Sequence, residues 1–97
     1  MELVFEVEDK SGRKIKLTKE RWTHIVTKHS DMADKINEII DTLIKPTLIE
    51  QHKYNDDMRN YYRYYKSEKC YLHVSVRYLN GGGFIATAFL TKKIIRR

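Results

Sequence analysis

Cys70-Tyr71-Leu72-His73-Val74-Ser75-Val76-Arg77-Tyr78-Leu79 decides the fold. Successive side chains of an extended chain point to opposite faces. Cys70, Leu72, Val74, Val76 and Tyr78 therefore share one face, and Tyr71, His73, Ser75 and Arg77 the other. The first set is apolar and predicts a surface under helices. The second predicts a surface turned to water or a ligand. A strand over residues 61–66 and a tight turn at Ser67-Glu68-Lys69 precede this stretch. Asn80-Gly81-Gly82-Gly83 follows as a hairpin loop, and a last strand covers residues 84–91. Short turns on both sides make residues 70–79 the central strand of an antiparallel meander. One extra loop residue would exchange the faces of the last strand. A bulged loop is expected, with Phe84, Ala86, Ala88 and Leu90 under the helices and Thr87 beside Ser75 and Arg77. The competing register buries Thr87.

Upstream, Leu3–Glu8 alternates as a strand, Asp9-Lys10-Ser11-Gly12 reads as a turn, and Ile15 and Leu17 begin a second short strand, forming a hairpin. Thr18 is an N-cap for a helix over residues 19–29, whose Trp22, Ile25, Val26 and His29 fall on one face. Ser30-Asp31 breaks the chain. Ile36, Ile39, Ile40, Leu43 and Ile44 then mark a second amphipathic helix that must end before Pro46. Beyond Pro46 the period is two, with a strand over residues 47–53 and a polar connection over residues 54–60. The expected fold is α+β, one domain over residues 1–97. Two N-terminal helices pack on one face of a four-stranded antiparallel meander sheet, with a short N-terminal β-hairpin beside it.

A chain of 97 residues buries a thin core. No apolar run approaches the roughly 20 residues that cross a bilayer, and no signal-peptide core is expected at the start. The lone Cys70 excludes an internal disulfide and a cysteine-cluster zinc site, and reads as a packed residue. A reducing, cytoplasmic setting without a membrane is expected.

Charge is segregated. Residues 58–97 hold nine Lys/Arg against Glu68 alone, giving +8; residues 1–57 hold ten against twelve acids, giving −2; the sum is the net +6. Six of seven tyrosines (Tyr61, Tyr62, Tyr64, Tyr65, Tyr71, Tyr78) lie in the basic part. Such a surface attracts a polyanion, and tyrosine beside arginine offers flat faces on which bases stack. Lys92, Lys93, Arg96 and Arg97 form a basic tail that adds salt-sensitive attraction.

His24 and His29 are five residues apart on the first helix, about 140° around its axis, which is not the i, i+4 pattern of zinc pairs. No other histidine spacing suggests a ligand set, so no metal and no cofactor is expected. His24 shares a polar helix face with Arg21 and Lys28, and an imidazole takes or gives a proton near neutral pH. The structural alternatives are a solvated surface residue for His24 and a helix-end dipole partner near Trp22 for His29. Arg63, Lys66 and Arg77 lie in or at the ends of adjacent strands, where fixed cations suit phosphate clamps; an ordinary charged face is the alternative. Gly81-Gly82-Gly83 precedes no helix and is no phosphate loop.

The order of elements resembles a known superfamily. Trp22-Thr23-His24-Ile25 with His29 on a helix, a helix ending at Pro46, Tyr64-Tyr65-Lys66, Leu72-His73-Val74-Ser75-Val76-Arg77 and Ile85-Ala86-Thr87-Ala88-Phe89 carry the likeness, over residues 18–95. The chain resembles the barnase, EndoU, colicin and RelE-like (BECR) nucleases, closest to their phage-associated branch. The Ala86 before Thr87 departs from the larger β-branched residue common there. The resemblance implies helices on one face of an antiparallel sheet and metal-independent RNA cleavage on the other, by attack of the ribose 2′-OH. It implies a catalytic set of His24, Arg77, Thr87 and Lys66, with His29 second to His24; His29, Arg63, Tyr65, Ser75, His73 and Lys92 are the residues expected to bind substrate. RNA is the expected partner, with a protein inhibitor or antitoxin as a further one. A non-catalytic RNA- or ribosome-binding module on the same basic sheet face is the alternative, and a protein-interaction domain a third reading.

Overall fold

The protein is known from a computed structural model that describes residues 2–94, so the Arg96 and Arg97 of the expected basic tail lie outside the described residues. The elements run β1 (Leu3–Glu8), β2 (Lys14–Thr18), α1 (Lys19–Lys28), a 3-10 turn (Ser30–Met32), α2 (Ile36–Ile44), β3 (Leu48–His52), β4 (Asn55–Tyr65), β5 (Cys70–Leu79) and β6 (Gly82–Thr91). Thr18 caps α1, its Oγ1 accepting from the Arg21 N–H at 3.1 Å. The helix closes where the His29 N–H donates to the Ile25 carbonyl at 2.8 Å. α2 stops at Ile44, two residues before Pro46.

The sheet corrects the expected fold. The chain opens with two strands, not helices. They do not stand beside a four-stranded antiparallel meander but join it in one six-stranded mixed sheet of order β1-β2-β6-β5-β4-β3. β2 runs parallel to β6, with Lys14, Ile15 and Lys16 opposite Gly82, Gly83 and Phe84. Ile15 and Leu17 of β2 are fully buried, so the hairpin must extend the apolar side of the same sheet. The docking also covers the edge that β6 would otherwise leave unpaired. Gly83 makes the fit possible, because a Cβ there would sit 2.8 Å from the Arg77 carbonyl and 3.1 Å from Ile15 Cδ1.

Two further expectations change. Residues 54–60 are not a polar connection, because β4 begins at Asn55. Met58, Arg59 and Asn60 pair with Arg77, Val76 and Ser75. The two cations at this pairing are held locally: Arg59 donates to the Asp56 carbonyl at 2.6 Å, and Arg77 binds Asp57 Oδ2 at 2.6 Å. In β6, the bulge lies inside the strand and not in the loop. Ser75 pairs with Thr87 but Val76 with Ile85, so Ala86 is the extra residue. Ala88 and Leu90 lie on the helix side as expected. Past the bulge Ile85 takes that side and Phe84 moves to the uncovered one, opposite Arg77. The loop shrinks to Asn80-Gly81, with Gly81 at φ 81°.

The core lies between helices and sheet, and includes Ile25, Met32, Ile39, Leu43, Leu72, Val74, Val76 and Ala88. One polar cluster ties the N-terminal hairpin to it. The Asp9 carboxylate is buried; its Oδ1 accepts from Ser11 N at 2.9 Å, Ser11 Oγ at 2.7 Å and Arg13 N at 2.9 Å. The Tyr61 hydroxyl donates to Asp9 Oδ2 and lies 2.6 Å from the Tyr78 hydroxyl. Burial, then the hydrogen bond to Asp9, pushes the Tyr61 phenol far above its ordinary range. The Tyr78 ring lies between the guanidiniums of Arg13 at 4.1 Å and Arg59 at 4.8 Å.

Candidate functional site

The register sets the uncovered face as rows of side chains running across the strands. The first row is Tyr64–Tyr71–Thr91. The second is Leu48–Tyr62–His73–Phe89, the third Glu50–Asn60–Ser75–Thr87, and the fourth Met58–Arg77–Phe84–Lys16. Opposed residues of paired strands lie close enough to interact directly. The face is thus aromatic at one end, carries amide, hydroxyl and carboxylate groups in the middle, and holds Arg77 and Lys16 beside Met58 and Phe84 at the other.

The aromatic rings form a ladder. Tyr64 meets Tyr71 edge-on at 5.2 Å, Tyr71 meets Tyr62 at 6.3 Å, and Tyr62 meets His73 at 4.7 Å. His73 stacks on Phe89 at 4.5 Å, and Phe89 on His29 at 5.3 Å. His29, at the end of α1, therefore reaches around to the uncovered face.

His73 does not face water as its alternation suggested. It is 6 % exposed, walled by Tyr62 and Phe89, and its Nδ1 has no hydrogen-bond partner among the described residues. Burial pushes its pKa from 6.5 down to about 4. The folded state thus holds a neutral ring where the unfolded chain takes a proton. The stabilisation is fully present above pH 6.5 and is lost as pH falls through 4. At 1.36 kcal/mol per pKa unit the loss is about 3 kcal/mol. Urea unfolding of His73→Phe should match the parent at pH 7 and show a shallower decline toward pH 4. Equal declines in the two proteins would refute this.

The site residues expected from the sequence divide three ways. Arg77, Ser75, Thr87, His73 and His29 come together on the uncovered face. Ser75 is buried at the bottom, and Arg77 is held by Asp57, whose buried Oδ1 has no hydrogen-bond partner among the described residues. Lys66, in the turn after β4, and Lys92, after β6, are exposed beyond the Tyr64–Tyr71 row. Seven residues separate Cys70, at that end, from Arg77, about 23 Å of strand, too far for Lys66 and Arg77 to hold one phosphate. Arg63 and Tyr65 lie on the helix side, where Arg63 donates to the Lys45 carbonyl at 2.5 Å and Tyr65 to the Glu38 carbonyl at 3.1 Å. Burial raises the Tyr65 phenol above its usual pKa. His24 is exposed on α1, and its side chain makes no hydrogen bond, ion pair or ring contact among the described residues.

The sequence reading missed Asn60, Glu50, Tyr62 and Tyr64 as members of this face. Counting back through the tight turn from Cys70 to Tyr65 would have found Tyr64, Tyr62 and Asn60, since paired residues share a face.

Past Phe84 the face opens into a groove of about 850 Å³ lined by Lys14, Lys16, Lys19, Glu20 and Arg21 among others. Two of its lysines are already paired, Lys16 with Glu6 at 3.9 Å and Lys19 with Glu2 at 2.8 Å. Among the described residues no three His, Cys, Asp or Glu side chains gather as a metal site, and no helix is long and apolar enough to cross a membrane. No family model, curated protein or solved structure matches this chain.

Proposed function

We propose that the chain is a metal-independent endoribonuclease of toxin or phage-effector type, acting on the uncovered face of its sheet. One observation supports this reading most: the hydroxyls of Ser75 and Thr87 and the guanidinium of Arg77 occupy neighbouring rows of that face, flanked by the His29–Phe89–His73 stack. RNA carries the nucleophile the reaction needs, the ribose 2′-OH. Its oxygen attacks the adjacent phosphorus and gives its proton to a base. The bond from phosphorus to the 5′ oxygen breaks, and that oxygen takes a proton from an acid. The products are a 2′,3′-cyclic phosphate and a 5′-hydroxyl.

His29 is the first candidate for proton transfer, because its ring is held against the face; His24, exposed on the same helix, is the second. Ser75 and Thr87 donate hydrogen bonds to the phosphate oxygens, and Arg77 counters the charge growing on them. His73 stays neutral at pH 7 and lines the floor without adding charge. The Arg77–Asp57 pair favours a second reading, an RNA-binding module without cleavage, because the carboxylate already neutralises the guanidinium.

Incubation with single-stranded RNA in excess EDTA tests the proposal. Fragments ending in 2′,3′-cyclic phosphate are the expected product. Salt-sensitive binding without cleavage would leave the module. Neither binding nor cleavage would sink both.

A further inference from the structure

Tyr64 and Tyr71 end the ring ladder in the open. Tyr64 is 46 % exposed although its edge rests on Tyr71 at 5.2 Å, and Tyr71 in turn rests on the fully buried Tyr62. A large aromatic face kept in water on a rigid support gains little for folding, since the area it could bury stays wet. It is, however, what a stacking ligand needs: a ring already ordered, so little freedom is lost on contact. Lys66, Lys69 and Lys92 surround this end and are exposed. The nearby Glu68 is engaged by Lys35 at 3.4 Å. The local charge is therefore that of a polyanion site, and the ligand that combines flat rings with a phosphate chain is a single-stranded nucleic acid. A duplex hides its base faces in its own stack and cannot use the platform.

Four residues along β5 separate Tyr71 from Ser75, about 13 Å. The platform is thus removed from the hydroxyl row and would hold a base other than those flanking the attacked phosphate. We infer that Tyr64 and Tyr71 form a nucleobase-stacking subsite that restricts the substrate to unpaired RNA. This rests on the ribonuclease reading for its reaction, but not for its binding.

The test uses a 2′-O-methyl oligoadenylate, which lacks the attacking hydroxyl and so is bound and not cut. Tyr64→Ala should weaken its binding about 5- to 160-fold, the range for one base–aromatic stack. Tyr64→Phe, which keeps the ring, should restore it. Annealing the strand to its complement should abolish the difference between Tyr64→Ala and the parent. Affinity for inorganic polyphosphate, a polyanion without bases, should be the same in all three proteins. Oligoadenylate binding unchanged in Tyr64→Ala overturns the inference. So does an equal loss of polyphosphate binding, which would mean lost charge or fold. If RNA is cleaved yet Tyr64 is indifferent, the subsite falls and the nuclease stands. If the Tyr64 dependence appears but no RNA is cut, the subsite stands and the nuclease falls.

Discussion

Asp9→Ala should destabilise the protein by about 3–5 kcal/mol, the cost of removing one member of a buried charged network. The carboxylate accepts four hydrogen bonds, from Ser11 N, Ser11 Oγ, Arg13 N and the Tyr61 hydroxyl. The three donors of the turn, on exposed Ser11 and half-buried Arg13, can find water. Tyr61 cannot, because it is fully buried and its remaining neighbour is the Tyr78 hydroxyl. Asp9→Asn keeps an acceptor for the turn and exchanges charged hydrogen bonds for neutral ones, so it should cost about 1–2 kcal/mol. In the Asp9→Ala, Tyr61→Phe double variant the losses should be smaller than their sum, by about 1–3 kcal/mol, since both remove the same contact. Urea denaturation measures all of these as shifts in midpoint at constant slope. A fall below 1 kcal/mol for Asp9→Ala would show that the hairpin is held by its apolar face alone, through Ile15 and Leu17.

That network shows where the sequence stops being informative. Local signals were legible because they act within a few residues: Thr18 as a cap, the period of Ile36, Ile39 and Leu43, Pro46 as a stop, and the alternation of Cys70–Leu79. The parallel contact of β2 with β6 joins Lys14 to Gly82 across the whole fold, and nothing in either segment's period encodes it. Polar Asn55, Asp56, Asp57 and Asn60 looked like a loop because strand propensity disfavours Asn and Asp. They extend β4 because the pairing of Asn60 with Ser75 and Glu50, and of Asn55 with His52, overrides that preference. The bulge at Ala86 satisfies both registers in turn. Each reading of β6 was therefore right for half the strand. The site followed the same rule. Ser75 and Arg77 were placed by their own strand, while Arg63 and Tyr65 depended on a partner register and fell on the opposite face.

His29→Ala should lower the rate of RNA cleavage about 10²–10⁴-fold, the usual contribution of a positioned proton-transfer group. The prediction turns on geometry. His29 ends α1 and stacks on Phe89, which is two residues from Thr87 on β6. Two residues of strand span about 7 Å, so the ring stack that holds this imidazole lies next to the row that carries the Thr87 hydroxyl. His24 has no contact that holds it toward the sheet, and a ring that must be immobilised on binding is a weaker catalyst than one already in place. His24→Ala should therefore cost less than His29→Ala in the same EDTA assay. His29→Phe separates chemistry from packing: it preserves the stack on Phe89 but cannot carry a proton, so it should be as inactive as His29→Ala while unfolding at the parent's urea midpoint. If His24→Ala abolishes cleavage and His29→Ala does not, the exposed imidazole performs the proton transfer and the ladder serves only to bind. If neither variant slows the reaction, no helix imidazole takes part, and the hydroxyls and guanidinium of the sheet must account for whatever activity remains.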